Sequence, residues 1–600
     1  SILVISLLFI PSEFGSWSLA FRKPLVVLLL LLLTLLNFKR NNLNIFLDTP
    51  TVALTVFVLL HFLSAFWAVH VSLVWLKSMN WLTLLLLYLN VRNINLSEFE
   101  VNTWKNILST LLLINVCVVL IVAGNFMFST EGAVQLSTSS IKKFREFTIF
   151  NNNFTSSVFL LTLPFLLLII ARKAQALHIL LCFIIFFLIF LLNSRAVIGG
   201  SIFLTLLFIY HLREVKFRFR YILGFIAICL FAFSLVVVLV SDLGTYFQAL
   251  NPLDLLDKNS GNERLTLWVR SLSLFSESPI WGIGSGNWLT EYLKYGISDL
   301  PNYKRYIHAH NLLFETCAEL GLFGFSLLLI LFFHPIYRIF KTGSNDLITI
   351  TLFLSIIAYI IVSSYYGIAY DRNGRFSGLQ YSWIILLGLL QSKIGTNGRS
   401  IQLKHISVVL AVVCLAWSIF IVNQDKLFAN YRKEISKNNI DTAIYYLNKI
   451  YIEDIYEFRV NNHLLAILAP QIWRKGEKTS AINTMETAVE RSANEYLSWM
   501  HLGNMYRASH QFEKAVDAYN RSLFLNPRWW DSALGLAIAS KSINDTKNYA
   551  KAMKIYEEEL DPYIARFNNS DIEYPEEHYL NKYWKRLLMI KHEFDSLANR

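Results

Sequence analysis

Long apolar runs alternate with short polar ones over the first two thirds of the chain. Leu25–Leu36, Phe154–Ala171, Leu177–Leu192 and Ile222–Val240 are nearly unbroken hydrophobic segments. About 20 apolar residues in helical conformation cross a bilayer, so such runs predict membrane helices. Hydropathy gives about 13 candidate spans. They fall near 1–10, 24–37, 51–68, 73–90, 106–123, 154–171, 176–193, 196–212, 221–241, 311–333, 347–366, 378–391 and 405–423. The runs at 1–10 and 378–391 are short, and Ser1–Ile10 reads as part of a first span with no cleavable signal pattern. Near Asn423 the pattern changes. From Gln424 to Arg600 the chain is charged, tyrosine-rich and helix-patterned, with no spanning run. The expected fold is all-α, with a polytopic membrane domain over 1–423 and a soluble tail over 424–600.

Composition agrees: of 600 residues 55% are hydrophobic and 16% charged. A formal charge of +12 could indicate a nucleic-acid partner. Much of the excess lies in short loops between spans instead, and no basic, aromatic-interleaved soluble patch stands out. Lys39/Arg40, Arg92, Arg172/Lys173, Arg213/Lys216/Arg218/Arg220, Arg338/Lys341 and Lys393/Arg399/Lys404 fall on one side of the span pattern. Basic short loops face the cytoplasm. The loop 242–310 and the tail then lie outside; in a bacterium with an outer membrane both are periplasmic. An error of one span would move the tail but not the loop. The five cysteines, Cys117, Cys182, Cys229, Cys317 and Cys414, are scattered singly through apolar segments and form neither a disulfide framework nor a metal motif.

The tail carries a repeat. Trp499-x2-Leu502-Gly503-x2-Tyr506, then Ala515, Tyr519, Ser522 and Pro527, follows the tetratricopeptide pattern. A weaker copy, Leu465, Leu468, Ala469, Ile472, Ala481 and Ala488, lies 34 residues earlier, and a third helix pair is expected over Asp531–Glu559. Stacked helix pairs of this kind present a concave surface to peptides or partner proteins. The plainer alternative is a scaffold that covers the loop.

Chemistry-bearing residues concentrate on the outer side. Asn262-Glu263-Arg264-Leu265 opens an amphipathic helix with Asn262 as the expected N-cap and Leu265, Trp268, Leu272 and Phe275 as its apolar face. Pro279 ends it, and Gly282-x-Gly284-x-Gly286 predicts tight turns before Trp288, without the strand–helix unit of a dinucleotide site. Arg264 is either a solvated surface residue or a ligand contact, and Arg270 on the same helix has the stronger claim to a structural role. Arg195 follows Asn193-Ser194 between two apolar runs. It reads as a snorkelling anchor or as an anion clamp, since arginine stays charged and grips phosphate oxygens bidentately.

Residues 308–324, His-Ala-His-Asn-Leu-Leu-Phe-Glu-Thr-Cys-Ala-Glu-Leu-Gly-Leu-Phe-Gly, place two histidines at the mouth of an apolar helix and two carboxylates inside it. Ionisable groups cost roughly 2.5–3.5 kcal/mol each at the centre of a bilayer helix, so they are functional candidates. A metal reading for His308 and His310 is weak, because no third ligand set accompanies them. In a helix, Asn311, Glu315 and Glu319 share a face. Gly321 and Gly324 would let the helix pack closely against another. The structural reading of Glu315 and Glu319 is buried pairing with an arginine that holds the helix carrying His310.

Three elements together resemble the O-antigen ligase/polymerase superfamily of membrane glycosyltransferases. They are Ser194-Arg195-Ala196; Arg264-x3-Trp268 followed by Pro279-x2-Gly282-x-Gly284-x-Gly286-Asn287; and His308-Ala309-His310-Asn311-Leu312-Leu313 followed by Glu319-Leu320-Gly321 and Gly324. The resemblance covers roughly residues 1–423 and is densest over 190–325. It implies a GT-C-like membrane fold at the bacterial inner membrane. It also implies transfer of a glycan from undecaprenyl diphosphate to an acceptor hydroxyl on the outer face, with inversion and with no metal or other cofactor. Lipid A core, a growing glycan and a protein Ser/Thr are the open acceptor classes, and an outside peptide-binding tail slightly favours a protein. The resemblance implies His310 as the catalytic residue, Arg195 and Arg264 as the diphosphate clamp, and His308, Asn311, Glu315 and Glu319 in support. Membrane lipid, and a protein partner for the tail, complete the expected contacts. The competing reading is a non-enzymatic membrane scaffold or transporter whose tail recruits partners.

Overall fold

The computed structural model describes residues 15–39, 45–93, 152–173, 176–192, 195–211, 218–239, 259–295, 306, 308–343, 346–365, 378–394, 400–401, 404–450, 464–491, 493–527, 529–561, 564 and 579–598. Two compact units are formed: Ser1–Trp288 with His308–Asn423, and Leu289–Ile307 with Gln424–Arg600.

The first unit is helical. Its elements are α1 (Gly15–Lys39), α2 (Thr49–Leu63), α3 (Val71–Arg92), α4 (Asn152–Lys173), α5 (Ala176–Leu192), α6 (Arg195–His211), α7 (Arg218–Leu239), α8 (Asn259–Glu277), α9 (Leu312–Thr342), α10 (Leu347–Tyr365), α11 (Gly378–Ile394) and the start of α12 (Lys404–Ser436). The expected spans at 1–10 and 106–123 lie outside the described residues. The other expected spans coincide with helices. Thr49–Phe66, Val71–Arg92, Leu312–Thr342, Leu347–Ser364 and His405–Ser436 are long and apolar enough to cross a membrane. Val27–Lys39, Phe159–Arg172, His178–Phe190, Ala196–His211 and Leu223–Val237 are apolar stretches of α1, α4, α5, α6 and α7. Strand pairing among the described residues is confined to a two-residue antiparallel ladder, Ile45 opposite Ile401 and Phe46 opposite Ser400.

Helix α3 is apolar around most of its circumference, the signature of a helix buried on all sides, and it is buried nearly throughout, against α1, α2 and α11. Its end is tied to the start of α2. Asp48 caps α2 by accepting from the Thr51 amide at 3.0 Å, and Pro50 occupies the first turn, where a missing N–H costs nothing. The other Asp48 oxygen faces Arg92 Nε at 3.3 Å, and the Arg92 guanidinium lies over the Phe46 ring. Helix α8 begins at Asn259, three residues before the expected cap Asn262. Asn262 therefore lies within the helix and is not its cap.

The change of composition at Asn423 falls inside one helix, because α12 runs on for 33 residues to Ser436. The second unit then continues through α13 (Ile440–Leu447), α14 (Leu464–Arg474), α15 (Lys478–Arg491), α16 (Tyr496–Ala508), α17 (Phe512–Leu525), α18 (Trp530–Ser542), α19 (Thr546–Ile555) and α20 (Tyr579–Ala598). Helices α15, α17 and α19 begin 34 residues apart, at 478, 512 and 546. The turns before them repeat as well: Gly476, His510 and Asn544 all have left-handed backbone, with φ of 91°, 58° and 56°. That conformation ends a helix by satisfying its last carbonyls. Each of α14–α19 packs on its sequence neighbours. Tyr519 fills the gap between α16 and α18, its hydroxyl donating to Asn504 at 2.7 Å.

The two glycines facing that ring are size-limited. A Cβ at Gly535 would lie 2.3 Å from the Tyr519 ring carbon Cζ. Gly535→Ala is expected to lower tail stability by about 1–3 kcal/mol, the cost of overpacking a filled core. Loss of helical circular dichroism at a lower urea concentration than in the parent checks it.

Candidate functional site

Helix α9 is broken. Gly321 has φ 60° and ψ −158°, outside any helical conformation. The break frees backbone groups that a continuous helix would pair internally. The turn after α8 takes them: Ile283 N–H donates to Ala318 O at 3.0 Å, Gly284 N–H to Glu319 O at 2.9 Å, and Leu322 N–H to Pro279 O at 2.8 Å. Close approach requires glycine on both sides. A Cβ at Gly321 would meet Ile280 O at 2.3 Å, and one at Gly282 would meet the Glu319 carbonyl at 2.3 Å. The expected tight turns are present, with φ of 70°, 98° and 79° at Gly282, Gly284 and Gly286. The expected helix-on-helix role of Gly321 and Gly324 is corrected: Gly321 faces the loop turn, and the space beside Gly324 is filled by Leu320 of the same helix.

The turn is also clamped from the connection between α2 and α3. Ser64 Oγ accepts from the Ser285 amide at 3.0 Å, and His61 Nδ1 lies 2.5 Å from Ser285 Oγ. Asn287 accepts from the His70 amide at 2.7 Å and donates to the His70 carbonyl at 3.3 Å. All of these side chains are buried or half-buried.

Beneath the turn lies a buried charge cluster. Lys77 Nζ, from α3, donates to Glu315 Oε1 at 2.9 Å and to Glu319 Oε2 at 2.5 Å. Glu315 and Glu319 do share a face of α9, and their expected partner is corrected from an arginine to Lys77. Glu315 stands in the first turn of α9, where the positive end of the helix dipole also favours a carboxylate. Its second oxygen, Oε2, accepts from the Ala309 amide at 3.4 Å, which fastens the histidine turn to the cluster. Lys77 was missed in the sequence, although a lone lysine inside the apolar run of α3 is itself a signal of function or pairing.

His308 is buried and His310 half-buried, with ring centroids 4.2 Å apart and nearly perpendicular. His308 Nδ1 accepts from the His310 amide at 3.3 Å. His310 itself has φ 54°, a left-handed conformation uncommon for a residue with a side chain and concentrated at functional sites. Burial, reinforced by Lys77 and opposed by Glu315, holds the His308 imidazole down at about 4, so it is neutral at pH 7. Asn311 is not a member of the carboxylate face. It is the N-cap of α9, accepting from the Leu313 and Phe314 amides and donating to Ser364 O at 2.7 Å. Spacing of four residues could not reveal where the helix begins.

Helix α8 meets the start of α9, with the Trp268 ring stacked on Phe314 at 5.3 Å. Arg264 lies four residues before Trp268 and so on the same face, half-buried, while Arg270 is buried. Arg195 is the first residue of α6; its side chain lies outside the described residues.

A family model described as O-antigen ligase matches residues 180–329, a quarter of the chain. That stretch therefore carries an O-antigen ligase family domain, which implies a glycan-transferring enzyme, and it contains Arg195, Arg264, His308, His310, Glu315 and Glu319. No curated protein matches the chain.

Two outcomes follow from the geometry. Lys77→Met leaves two carboxylates buried without their cation, a loss of about 3–5 kcal/mol, whereas adding Glu315→Gln and Glu319→Gln removes the uncompensated charge and restores much of it. Thermal unfolding of the single and triple variants in detergent checks this. For His308, the unfolded imidazole binds a proton below pH 6.5 and the folded one only near 4. The stability that neutral His308 contributes is complete above pH 6.5 and is lost progressively as pH falls towards 4. Hydrogen exchange over residues 306–314 is expected to speed up across that window, and less so in His308→Asn.

Proposed function

We propose that the protein transfers a glycan from undecaprenyl diphosphate to an acceptor hydroxyl at the outer face of the inner membrane. The observation that carries the reading is the O-antigen ligase family match over residues 180–329. It coincides with a site in which a histidine of unusual backbone geometry sits at the mouth of a broken helix, above a buried charge cluster.

In this reading His310 takes the proton of the acceptor hydroxyl as its oxygen attacks the anomeric carbon. The bond from that carbon to the diphosphate oxygen breaks in the same step, inverting the centre. Undecaprenyl diphosphate departs with the bonding electron pair, so it needs positive charge and not a proton. Arg195 and Arg264 supply that charge in a reaction that uses neither metal nor other cofactor. Neutral His308 accepts the His310 amide and Glu315 the Ala309 amide, so both serve as positioning groups, with Lys77 and Glu319 behind them and Asn311 fixing the helix start.

The helical tail serves as a tetratricopeptide-type platform for a peptide or partner protein. Its placement on the same side as the loop is supported by the second unit, which includes loop residues 289–307; there Asn494 donates to the Thr290 carbonyl at 3.4 Å. The acceptor is lipid A core, a growing glycan or a protein hydroxyl, and the tail favours a protein.

Deleting the protein and asking which glycoconjugate disappears separates those three classes. His310→Ala is expected to cut transfer by about 10²–10⁴-fold, and Arg264→Ala or Arg195→Ala by about 10²–10³-fold. In each case the folded protein should persist and lipid-linked glycan should accumulate. Normal transfer by all three variants would leave the scaffold or transporter reading in its place.

A further inference from the structure

Three segments of the first unit bring apolar side chains to one exposed patch beside the break in α9. Phe66 and Val69, from the connection after α2, are 87% and 68% exposed. Ile280 and Trp281, from the turn after α8, are 53% and 50% exposed, and Phe323, just past the break, is 53% exposed. The segments are in contact: Trp281 stacks on Phe323 at 5.2 Å and meets Trp67 at 5.7 Å.

The patch continues two exposed stripes. On α2, Val52, Val56, Leu59 and Leu63 recur at steps of four, three and four and lead to Phe66 three residues on. On α9, Phe323 is followed by Ile330, Phe333, Tyr337 and Phe340, again at helical spacing. Both helices have spanning length and apolarity, so stripes of exposed aliphatic and aromatic residues along them are the faces that meet acyl chains. Where the α2 stripe ends, phenylalanine and tryptophan take over from valine and leucine, the composition of a membrane–water boundary. None of the patch residues is charged.

We propose that Phe66, Trp67, Val69, Ile280, Trp281 and Phe323 form a lipid-contact surface at the boundary between acyl chains and headgroups. The turn after α8 is then a membrane-dipping element and not an aqueous loop. Lipid is favoured over a protein partner because the surface is continuous with the lipid-facing stripes of two spans. The patch stands independently of the glycan-transfer reading. Where that reading holds, the patch sets the depth of the glycine turn at the headgroup level, where a polyprenyl diphosphate carries its phosphates.

The test uses the full protein in vesicles of phosphatidylcholine and phosphatidylglycerol, with bromines on the phosphatidylcholine chains either near the headgroup or near the chain end. The emission lost on Trp281→Phe is the Trp281 signal. Its loss by quenching is expected to be larger with shallow bromines than with deep ones, and small with aqueous iodide. Quenching by iodide and not by bromolipid overturns the proposal. Val69→Cys, at a largely exposed position, gives a second reading that leaves the ring contacts intact. A fluorophore placed there should be quenched by nitroxide near the headgroup; cross-linking of Val69→Cys between two copies, or a label shielded from lipid by a bound protein, overturns the lipid assignment in favour of that occupant.

Discussion

At Gly321 the ninth helix gives up its own hydrogen bonds, and residues 279–284 of the preceding turn take their place. In a helix of membrane-spanning character, each backbone group left without a partner in hydrocarbon costs several kcal/mol. Break and turn are therefore mutually dependent. Helix α9 is 31 residues long, about 46 Å, against a hydrocarbon core of about 30 Å. Residues 322–342 alone rise about 31 Å, enough to span. The short helix 312–320, with both carboxylates, is thereby released from crossing the membrane and becomes a separate platform for the histidines.

Charge completes what the backbone starts. One lysine against two carboxylates would leave a net negative charge in a buried place, and the N-terminus of α9 partly offsets it. The cluster links α3 to α9, and through Glu315 it reaches the Ala309 amide between the two histidines. The chain is thus held at two successive amides, that of Ala309 by the ion cluster and that of His310 by the His308 ring, which helps His310 keep its left-handed φ.

Much of this was legible from residue patterns, and the failures have physical causes. The helices of the tail were readable because the motif around Trp499–Tyr506 carries its own spacing, and α15, α17 and α19 keep it. The glycine turn was readable because three glycines at alternate positions have few uses other than positive φ. Gly321 was not, because a small residue for packing and a glycine for a backbone break look alike in one dimension. Lys77 was diluted by the hydropathy of its neighbours, and its partners lie 238 and 242 residues away. Asn311 carried a readable cap signal, an asparagine directly before an apolar run, but its four-residue step to Glu315 mimics a shared helix face. Among the expected site residues, the structure gathers His308, His310, Asn311, Glu315 and Glu319 in one place and puts Arg264 on the helix face that meets them through Trp268 and Phe314. Arg195 lies on α6.

The joint between break and turn is made from amides, carbonyls and glycines, with no side chain taking part in its three hydrogen bonds. Those three bonds do not depend on which side chains the residues carry, and the side-chain clamps of His61, Ser64 and Asn287 act on the turn beside them. The exposed Leu322 can change while the joint keeps its shape, provided the glycines remain. A frame of that kind can be inherited unchanged while the surrounding side chains are rewritten for a new sugar or a new acceptor, so substrate range can diversify without the scaffold having to be rebuilt.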